Sequence, residues 1–261
     1  MPSLVHTIHA EEDAAAKAFG RQSAIFDQLY GSDDIIRYKR KRVRHVAAGL
    51  LKHGDSILEL NAGTGEDAIY FAEKGHRVHA TDISEKMLGV MAEKARKKRL
   101  EHYISQERCS FNELDKLKKK GPYDLLFSNF AGLNCTSDLG SVLDSMHCLV
   151  KPGGHVLLVL MPKFCLWEFM LLFRGKFKEA FRRFAGKRAA PAHIAGVHFH
   201  CWYYNPSFVR KQLERWFVMT GCEGLCTIAP PSYMEGFARK HRRLFGILVK
   251  WERRWKSAWP W

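Results

Sequence analysis

The sequence lacks the features that mark a membrane-spanning or secreted chain. No window reaches the ~18 apolar residues of a spanning helix, and the richest stretch, 164–173, is short and contains Glu168. The first ten residues have neither the basic segment nor the apolar run of a secretory signal. These absences predict a cytoplasmic protein, and they leave open a peripheral contact with the inner face of a membrane.

Paired cysteines are missing as well. The seven cysteines are an odd number, none belongs to a CxxC pair, and Cys222 and Cys226 have no matching His or Cys pair at zinc spacing. Internal repeats and low-complexity tracts are also absent. We therefore expect free thiols in a reducing compartment and no metal site.

Positive charge and aromatic residues are abundant. The 42 Lys and Arg residues outnumber 27 Asp and Glu residues, which gives a formal net charge of +15, and the chain has 17 Phe and 7 Trp. This balance favours an anionic partner, either nucleic acid or an anionic membrane face. A length of 261 residues suits one domain with a sizeable insertion.

The stretch 57–67 predicts a strand, a tight turn and a helix in direct succession. Residues 57–60 form the short apolar run of a buried parallel strand. Gly63 and Gly65 permit backbone angles that a side chain would forbid. Beyond them, apolar residues over 68–72 recur at helical spacing. This order near the start of an α/β domain is typical of a nucleotide-like ligand site.

The rest of the chain repeats the same alternation. Two helices come first, over 11–30 and 35–52. Strands then alternate with helices, which predicts an α/β fold with a doubly wound, mostly parallel sheet. The predicted strands are 56–60, 77–81, 103–108, 123–128, 155–161 and, near the end, 222–228; the predicted helices between them are 66–74, 84–99, 138–150 and 205–217.

We predict a single domain over 1–261. It consists of an N-terminal helical lid (about 11–52), a core (about 53–161 plus 205–229), an aromatic and basic insertion (163–204) and an amphipathic tail helix (236–256). The apolar stripe predicted for the tail helix is Phe237, Leu244, Leu248, Trp251 and Trp255.

The acids around the glycine turn bear on which ligand it binds. Gly63-x-Gly65-x-x-Ala68 formally fits a dinucleotide fingerprint, for which Asp82 would be the downstream acid. A pyrophosphate at the helix N-terminus, however, would meet three carboxylates. S-adenosylmethionine has a sulfonium, an ammonium and a ribose diol, and it has no phosphate, so it suits these acids better. The three acids are Glu59, Glu66 and Asp67.

These motifs together resemble class I S-adenosylmethionine-dependent methyltransferases. The resemblance rests on Glu59-x-Asn61-x-Gly63-x-Gly65, on Asp82 after the second strand and on the Lys-Pro-Gly-Gly turn at 151–154. It covers about residues 19–161 and is nearest to the small-molecule branch related to ubiquinone/menaquinone C-methyltransferases. Asn61 stands where the family usually has its first glycine, and asparagine tolerates the left-handed backbone that this position needs.

The resemblance implies a set of donor-binding residues. Glu59 and the backbone of the turn would hold the methionine end, and Asp82 would hold the ribose. For Asp82 the alternative is a helix-capping acid, and for Met87 and Phe111 it is core packing. The implied cofactor-binding residues are Glu59, Asn61, Ala62, Gly63, Thr64, Gly65 and Asp82, with Ile83, Met87, Ser110 and Phe111 around the adenine and Asn129 between donor and acceptor.

Candidate catalytic residues lie in the insertion. Methylation at oxygen usually needs a base, and histidine titrates near neutral pH. His198 and His200 alternate along a possible strand, so both could face the acceptor. A surface or packed histidine is the alternative for each of them.

The acceptor is inferred from surface rather than from chemistry. Segments 164–184 and 236–256 both combine large apolar residues with Arg and Lys, as in helices that rest on an anionic membrane. Alternatively, their apolar faces cover the sheet. We predict a methyltransferase for a small, hydrophobic or lipid-like acceptor, modified at oxygen or carbon. The alternatives are an RNA methyltransferase, or an inactive methyltransferase-like protein that binds membrane or nucleic acid.

One strand of the family's sheet has no obvious counterpart in the sequence. The family pattern ends in a hairpin of strands six and seven, and after the tail helix only Trp259-Pro260-Trp261 remain. We expect either that strand seven is missing or that a segment such as 197–204 takes its place.

Overall fold

The computed structural model describes residues 4–181, 183, 189–234 and 236–258. Helices and strands alternate through the middle of the chain, as the sequence predicts. The strands are β1 (Ser56–Leu60), β2 (Arg77–Asp82), β3 (Ile104–Arg108), β4 (Tyr123–Ser128), β5 (Val150–Leu158), β6 (Ala190–Ile194) and β7 (Val197–Cys201). The helices are α1 (Leu4–Gln22), α2 (Phe26–Gly31), α3 (Asp34–Leu50), α4 (Glu66–Glu73), α5 (Glu85–Lys97), α6 (Leu139–Ser145), α7 (Leu166–Phe169), α8 (Phe177–Phe181), α9 (Pro206–Leu213), α10 (Phe237–Lys240) and α11 (Arg242–Trp255).

The first five strands form one parallel sheet in the order β3-β2-β1-β4-β5. The strand order reverses between β1 and β4, so a crevice opens at the carboxyl ends of these two strands. The predicted doubly wound α/β fold is confirmed. The same reversal brings the end of β1, the glycine turn and the end of β4 together.

Each face of the sheet buries alternate residues of its strands. Leu58 and Leu126 share one core with residues of α1 and α6. Ile57 and Phe127 share the other with residues of α3, α4 and α5. Because strand side chains alternate between faces, neighbouring apolar residues serve opposite cores, and the apolar runs read from the sequence are those of a strand buried on both sides.

The predicted helix 11–30 is wrong as one element, because α1 and α2 are separated at residues 23–25. The Ser23 hydroxyl and the Ser23 amide both donate to the Gly20 carbonyl oxygen, at 3.0 and 3.4 Å. A serine that bonds the preceding turn in this way competes with helix continuation.

The predicted sixth strand at 222–228 is also wrong. This segment runs without strand pairing, and Cys226 has a left-handed backbone with φ of 55°. Its amide groups bond a side chain instead of a strand, since the Glu252 carboxylate accepts from all four amides of residues 226–229. The ladder that a strand requires therefore cannot form there.

Residues 197–204 do not replace the missing strand. β7 pairs antiparallel with β6 in a separate two-stranded sheet, and this hairpin packs on α1, where the Phe199 ring centroid lies 5.8 Å from that of Phe19. Within the described ranges, β5 is one of the two outer strands of the main sheet, and β3 is the other.

The tail predicted as one helix over 236–256 is two helices, and the helical first part of the insertion is likewise interrupted. The insertion contains α7, a 3-10 turn (Met170–Arg174) and α8, separated by Gly175 with φ of 70°, a backbone that glycine adopts readily. α10 and α11 meet at His241, which has φ of −123° and ψ of 49°. Phe184 and Trp259-Pro260-Trp261 lie outside the described residues. Of the helices in the described part of the chain, none combines the length and the apolar content that crossing a membrane requires.

Candidate functional site

The glycine turn leaves β1 with three residues in the left-handed backbone region. The φ angles are 46° at Asn61, 57° at Gly63 and 74° at Gly65. A Cβ atom at Gly65 would lie 2.3 Å from Cγ of Met91, so only glycine lets α4 begin this close to α5. The positive φ of Asn61 is the backbone that the sequence predicted for an asparagine in a glycine position.

The Asn61 side chain links the ends of two neighbouring strands. Its Nδ2 donates to the Asn129 carbonyl at 2.9 Å, and its Oδ1 accepts from the Ser128 hydroxyl at 2.6 Å. Gly132 makes room for it, because a Cβ atom there would lie 2.5 Å from Cγ of Asn61. Asn61 therefore fixes the end of β4 against the glycine turn.

The Asp82 carboxylate is held by the turn itself. One of its oxygens accepts from the Gly63 amide and the other from the Ser84 amide, both at 2.8 Å. Burial raises the pKa of Asp82, and these two hydrogen bonds oppose the rise. The carboxylate is thus oriented, and each oxygen keeps a lone pair for a further donor.

Two of the three acids at the turn are paired with the protein's own cations. The Asp67 carboxylate accepts from Arg44 Nε at 2.6 Å and from Asn129 Nδ2 at 2.9 Å, and Arg40 Nη1 lies 3.4 Å away. Glu66 is paired with Lys94. The sequence argument that a phosphate would meet three negative charges is therefore corrected for these two, because their charges are offset by Arg40, Arg44 and Lys94.

Glu59 is the exception at this turn. Its side chain is buried, and its Oε2 atom has no hydrogen-bond partner among the described residues. Burial raises the pKa of Glu59 well above its usual range and Asp67 adds to the rise, while Arg40 and Arg44 oppose it. An orphaned buried carboxylate oxygen is costly, and a cationic ligand group beside it would relieve that cost.

Glu59 and the turn line a large cavity. The cavity has a volume of about 1660 Å³ and includes Asn61 to Thr64, Asn129 and the Phe130 ring. The outer strand β5 contributes apolar side chains that include Val156 and Leu158, and Leu166 lies on the wall from α7. This volume exceeds the several hundred Å³ of an ordinary small-molecule site, so it can hold a donor and an acceptor together.

The residues implied for the adenine lie beside the turn, outside this cavity. Ile83 and Ser110 line a second cavity of about 370 Å³. Met87 and Phe111 are buried at 2% and 8% exposure, and Phe111 belongs to the core under α1. These side chains therefore lie at the ends of β2 and β3, and two of them, Met87 and Phe111, are packed in the core.

Sequence reasoning missed Glu12 on α1. Its buried carboxylate accepts from the Ser110 hydroxyl and, at 2.8 Å, from Asn112 Nδ2. α1 therefore lies directly against the end of β3. The only sequence signal was an acid on a predicted lid helix, and nothing in its spacing indicated which strand end it would meet.

The two candidate catalytic histidines do not line the large cavity. His200 Nδ1 lies 2.8 Å from a carboxylate oxygen of Glu11 on α1. The His198 ring centroid lies 4.5 Å from that of His193 across the β6–β7 hairpin. Both side chains are exposed. Their catalytic role remains a prediction. The contact of His200 links the hairpin to α1, whereas the contact of His198 lies within the hairpin.

Comparison with known proteins finds similarity to methyltransferases. A family model described as a methyltransferase domain matches residues 57–154. A malonyl-[acyl-carrier protein] O-methyltransferase of Pseudescherichia vulneris is 30% identical over 149 residues, covering 55% of this chain and 51% of that protein. A ubiquinone/menaquinone biosynthesis C-methyltransferase of Rhizobium johnstonii is 31% identical over 109 residues, covering 41% of each chain. The chain thus spans about half of the length of these relatives or less.

A solved structure shares the fold. The 1,6-didemethyltoxoflavin-N1-methyltransferase of Burkholderia thailandensis, with S-adenosylhomocysteine bound, superposes with a TM-score of 0.53 at 16% identity. The match covers 82% of this chain and 79% of that one. At this identity the likeness shows the fold, and the chemistry has to be argued from the residues of this chain.

Proposed function

We propose that the protein transfers a methyl group from S-adenosylmethionine to a small, hydrophobic acceptor, at oxygen or carbon, on the premise that residues 57–154 match a methyltransferase domain. The observation that carries the proposal is the orphaned Oε2 atom of Glu59. This atom lies at the end of β1. The other two acids near the glycine turn, Glu66 and Asp67, are already paired with Lys and Arg side chains.

The donor-binding residues follow from the contacts at the turn. When bound, S-adenosylmethionine supplies an electrophilic methyl group on a sulfonium. Glu59 would hold the cationic end of the donor, and the backbone of Asn61 to Gly65 would hold its methionine part. Asp82, fixed by two backbone amides, would accept the ribose hydroxyls. We retain Ile83, Met87, Ser110 and Phe111 as the proposed surroundings of the adenine.

Asn129 and Phe130 lie where the donor and acceptor halves of the cavity would meet. Asn129 Nδ2 is held by Asp67, and the Arg40 guanidinium lies 4.6 Å above the Phe130 ring. Both side chains are therefore fixed by charged neighbours. Methyl transfer depends mainly on holding the nucleophile in line with the sulfonium, and a fixed wall at this point serves that alignment.

The apolar wall of the cavity supports a hydrophobic acceptor. Val156, Leu158 and Leu166 lie on it, and apolar side chains exclude the water that would solvate the nucleophile. On transfer, the acceptor oxygen or carbon gains the methyl group and loses a proton to a base. We do not assign that base to His198 or His200, because neither lines the cavity.

The proposal includes a cytoplasmic location and contact with an anionic membrane surface as the source of the acceptor. An RNA methyltransferase is less well supported. Basic and aromatic residues such as Lys39, Arg40 and Tyr30 do line the cavity, but the relatives of similar sequence are a malonyl-[acyl-carrier protein] O-methyltransferase and a ubiquinone/menaquinone biosynthesis C-methyltransferase. A binding protein without catalysis is the remaining rival. It predicts donor binding without product.

A transfer assay separates these proposals. The protein is incubated with S-adenosylmethionine labelled on the methyl group and, in parallel, with a total lipid extract, with RNA and with an aqueous metabolite extract. We expect label in the lipid extract with wild type and with the exposed-acid control Asp115→Ala, and none with Asp82→Ala. Donor binding with no labelled product in any extract would favour the binding protein, and label in RNA alone would overturn the hydrophobic acceptor.

A further inference from the structure

The helix α11 has two apolar faces that differ in what covers them. The inner face includes Phe245 and Val249, which pack with Tyr38 of α3 in a small core. The outer face is open to solvent over about half of the surface of its large side chains. Its four large side chains are between 47% and 59% exposed, and successive steps of three, four and four residues place them in one row. This outer row consists of Leu244, Ile247, Trp251 and Trp255.

Glu252 fixes the orientation of α11. This carboxylate is fully buried, and it accepts from the four backbone amides of residues 226–229 at 2.8 to 3.1 Å. It also accepts from the Tyr38 hydroxyl at 2.6 Å. Such a fixed attachment means that the outer row cannot turn inward to bury itself against the protein.

Three basic residues run beside the outer row. Arg243, Lys250 and Arg254 are separated by steps of seven and four residues, so they share one side of the helix. All three are exposed, and none forms an ion pair with another described residue. The only acid in α11 is Glu252, which faces the core. The outer surface of the helix therefore presents positive and apolar groups with no negative charge.

A second apolar patch lies on a segment that contacts the tail through Trp167. In the segment from α7 to α8, Phe173 and Phe177 are 85% and 63% exposed. Trp167 connects this segment to the tail, because its ring centroid lies 6.2 Å from that of Phe237 and its Nε1 donates to the Ile228 carbonyl at 3.3 Å. Leu166, next in sequence to Trp167, lies on the wall of the large cavity.

We propose that the outer row and basic side of α11, together with the α7–α8 segment, form a docking surface for an anionic lipid bilayer. A helix with an apolar row, flanking tryptophan and an unneutralised basic side binds the interface of such a bilayer. The surface adjoins the cavity wall at Leu166, so a docked protein would take a lipid-soluble acceptor from the bilayer. The docking surface extends the proposed function. It rests on that function only in the claim that the acceptor taken from the bilayer is then methylated.

Vesicle sedimentation of the full chain tests the surface without any methyl donor. The vesicles contain phosphatidylcholine alone or phosphatidylcholine with phosphatidylglycerol. We expect retention on the anionic vesicles that weakens with added salt. Trp251→Ala/Trp255→Ala should reduce the partition coefficient at least ~10-fold, and Lys250→Glu/Arg254→Glu should reduce it at least ~25-fold, since each lost basic residue alone is worth ~5-fold.

Matched controls lie on other exposed surfaces. Tyr103→Ala removes an exposed aromatic side chain from the start of β3, and Arg96→Glu/Lys97→Glu changes the net charge equally on α5. Both should bind vesicles as wild type does. A far-UV circular dichroism spectrum and a melting curve for each variant distinguish loss of vesicle binding from unfolding of the protein.

Three outcomes would overturn the docking surface. One is equal retention on neutral and anionic vesicles, and another is an equal loss in the tail variants and in the α5 control. The third is that single-stranded RNA displaces the protein from the vesicles, binds the protein more tightly than the vesicles do, and depends on the same residues. Because no donor is present, failure here leaves donor binding and methyl transfer to be judged separately.

Discussion

Glu59 and Asp67 are both buried carboxylates at the same glycine turn, and they differ in their partners. Asp67 is held by Arg40, Arg44 and Asn129, whereas Glu59 keeps an oxygen with no partner in the described part of the chain. The protein therefore neutralises one acid and leaves the other ready for a cation. Removal of the Glu59 carboxylate should therefore weaken donor binding but stabilise the protein without donor.

Replacing Glu59 by glutamine tests that opposition. Without donor and above the ordinary carboxyl pKa, the Glu59→Gln variant should be more stable than wild type by about 1–3 kcal/mol, because wild type must either take up a proton or bury an incompletely paired charge on folding. Its affinity for S-adenosylmethionine should fall ~10- to 100-fold through loss of a charged contact. Urea unfolding and calorimetric titration measure the two effects. A variant that is less stable and binds the donor normally would assign Glu59 a purely structural role.

The raised pKa of Glu59 makes both quantities depend on pH. Between its ordinary pKa and its raised folded-state pKa, the folded protein holds a proton that the unfolded chain releases, so stability falls as pH rises through this window. A cationic donor favours the ionised carboxylate, so its binding should tighten over the same range and release a proton. The difference between wild type and Glu59→Gln isolates this contribution, measured from about pH 5 to about pH 8. Parallel curves for the two proteins would contradict it.

Arg44 and Arg37 lie on one helix and should differ sharply in their contributions to stability. Arg44→Met leaves the buried Asp67 carboxylate short of a charge partner, which should cost about 2–4 kcal/mol. Arg37 pairs with Asp34 on an exposed surface, and Arg37→Met should cost less than about 0.5 kcal/mol. Chemical denaturation of both variants gives the comparison. Similar losses would mean that the Asp67 pair contributes no more than an exposed one.

Asn61 should tolerate glycine better than alanine. Both substitutions remove its two hydrogen bonds, to Asn129 and Ser128, but only alanine adds the strain of a φ near 46°. We expect Asn61→Gly to cost about 1 kcal/mol and Asn61→Ala about 2–3 kcal/mol. The order of their unfolding midpoints checks this expectation, and an alanine variant as stable as the glycine variant would show that the backbone there carries no strain.

Glu252 should anchor the tail of the chain. Glu252→Ala leaves four amides of residues 226–229 without their acceptor and should cost about 3–5 kcal/mol. Trypsin should then cut α11 much faster than in wild type or in the exposed-acid control Glu214→Ala. Cleavage at unchanged rates would show that the helix is held by its apolar contacts alone.

The sequence predicted the sheet and the glycine turn because local signals determine both. Residues 57–60 and 123–128 are apolar runs of strand length, and Gly63 and Gly65 mark the turn between a strand and a helix. These patterns depend on neighbours within a few residues. The structure confirms both, together with the left-handed backbone of Asn61.

What sequence reasoning missed depends on contacts between distant residues. The segment 222–228 has the composition of a strand, but Glu252, about 25 residues away, takes its amides. Likewise, Glu12 meets Ser110 across 98 positions, and His200 meets Glu11 across 189. No periodicity in the sequence reports such pairings. The charges at the turn could be counted from the sequence, but which of them were already paired could not.

Calorimetric titration of the full chain with S-adenosylmethionine and with S-adenosylhomocysteine is the most direct test of the central claim. We predict saturable binding of both ligands by wild type and by the Asp115→Ala control, at one site per chain, and loss of binding in Asp82→Ala with the fold intact. The absence of heat and of thermal stabilisation with either ligand, or equal binding by wild type and Asp82→Ala, would contradict the assignment of this turn as a methyl-donor site.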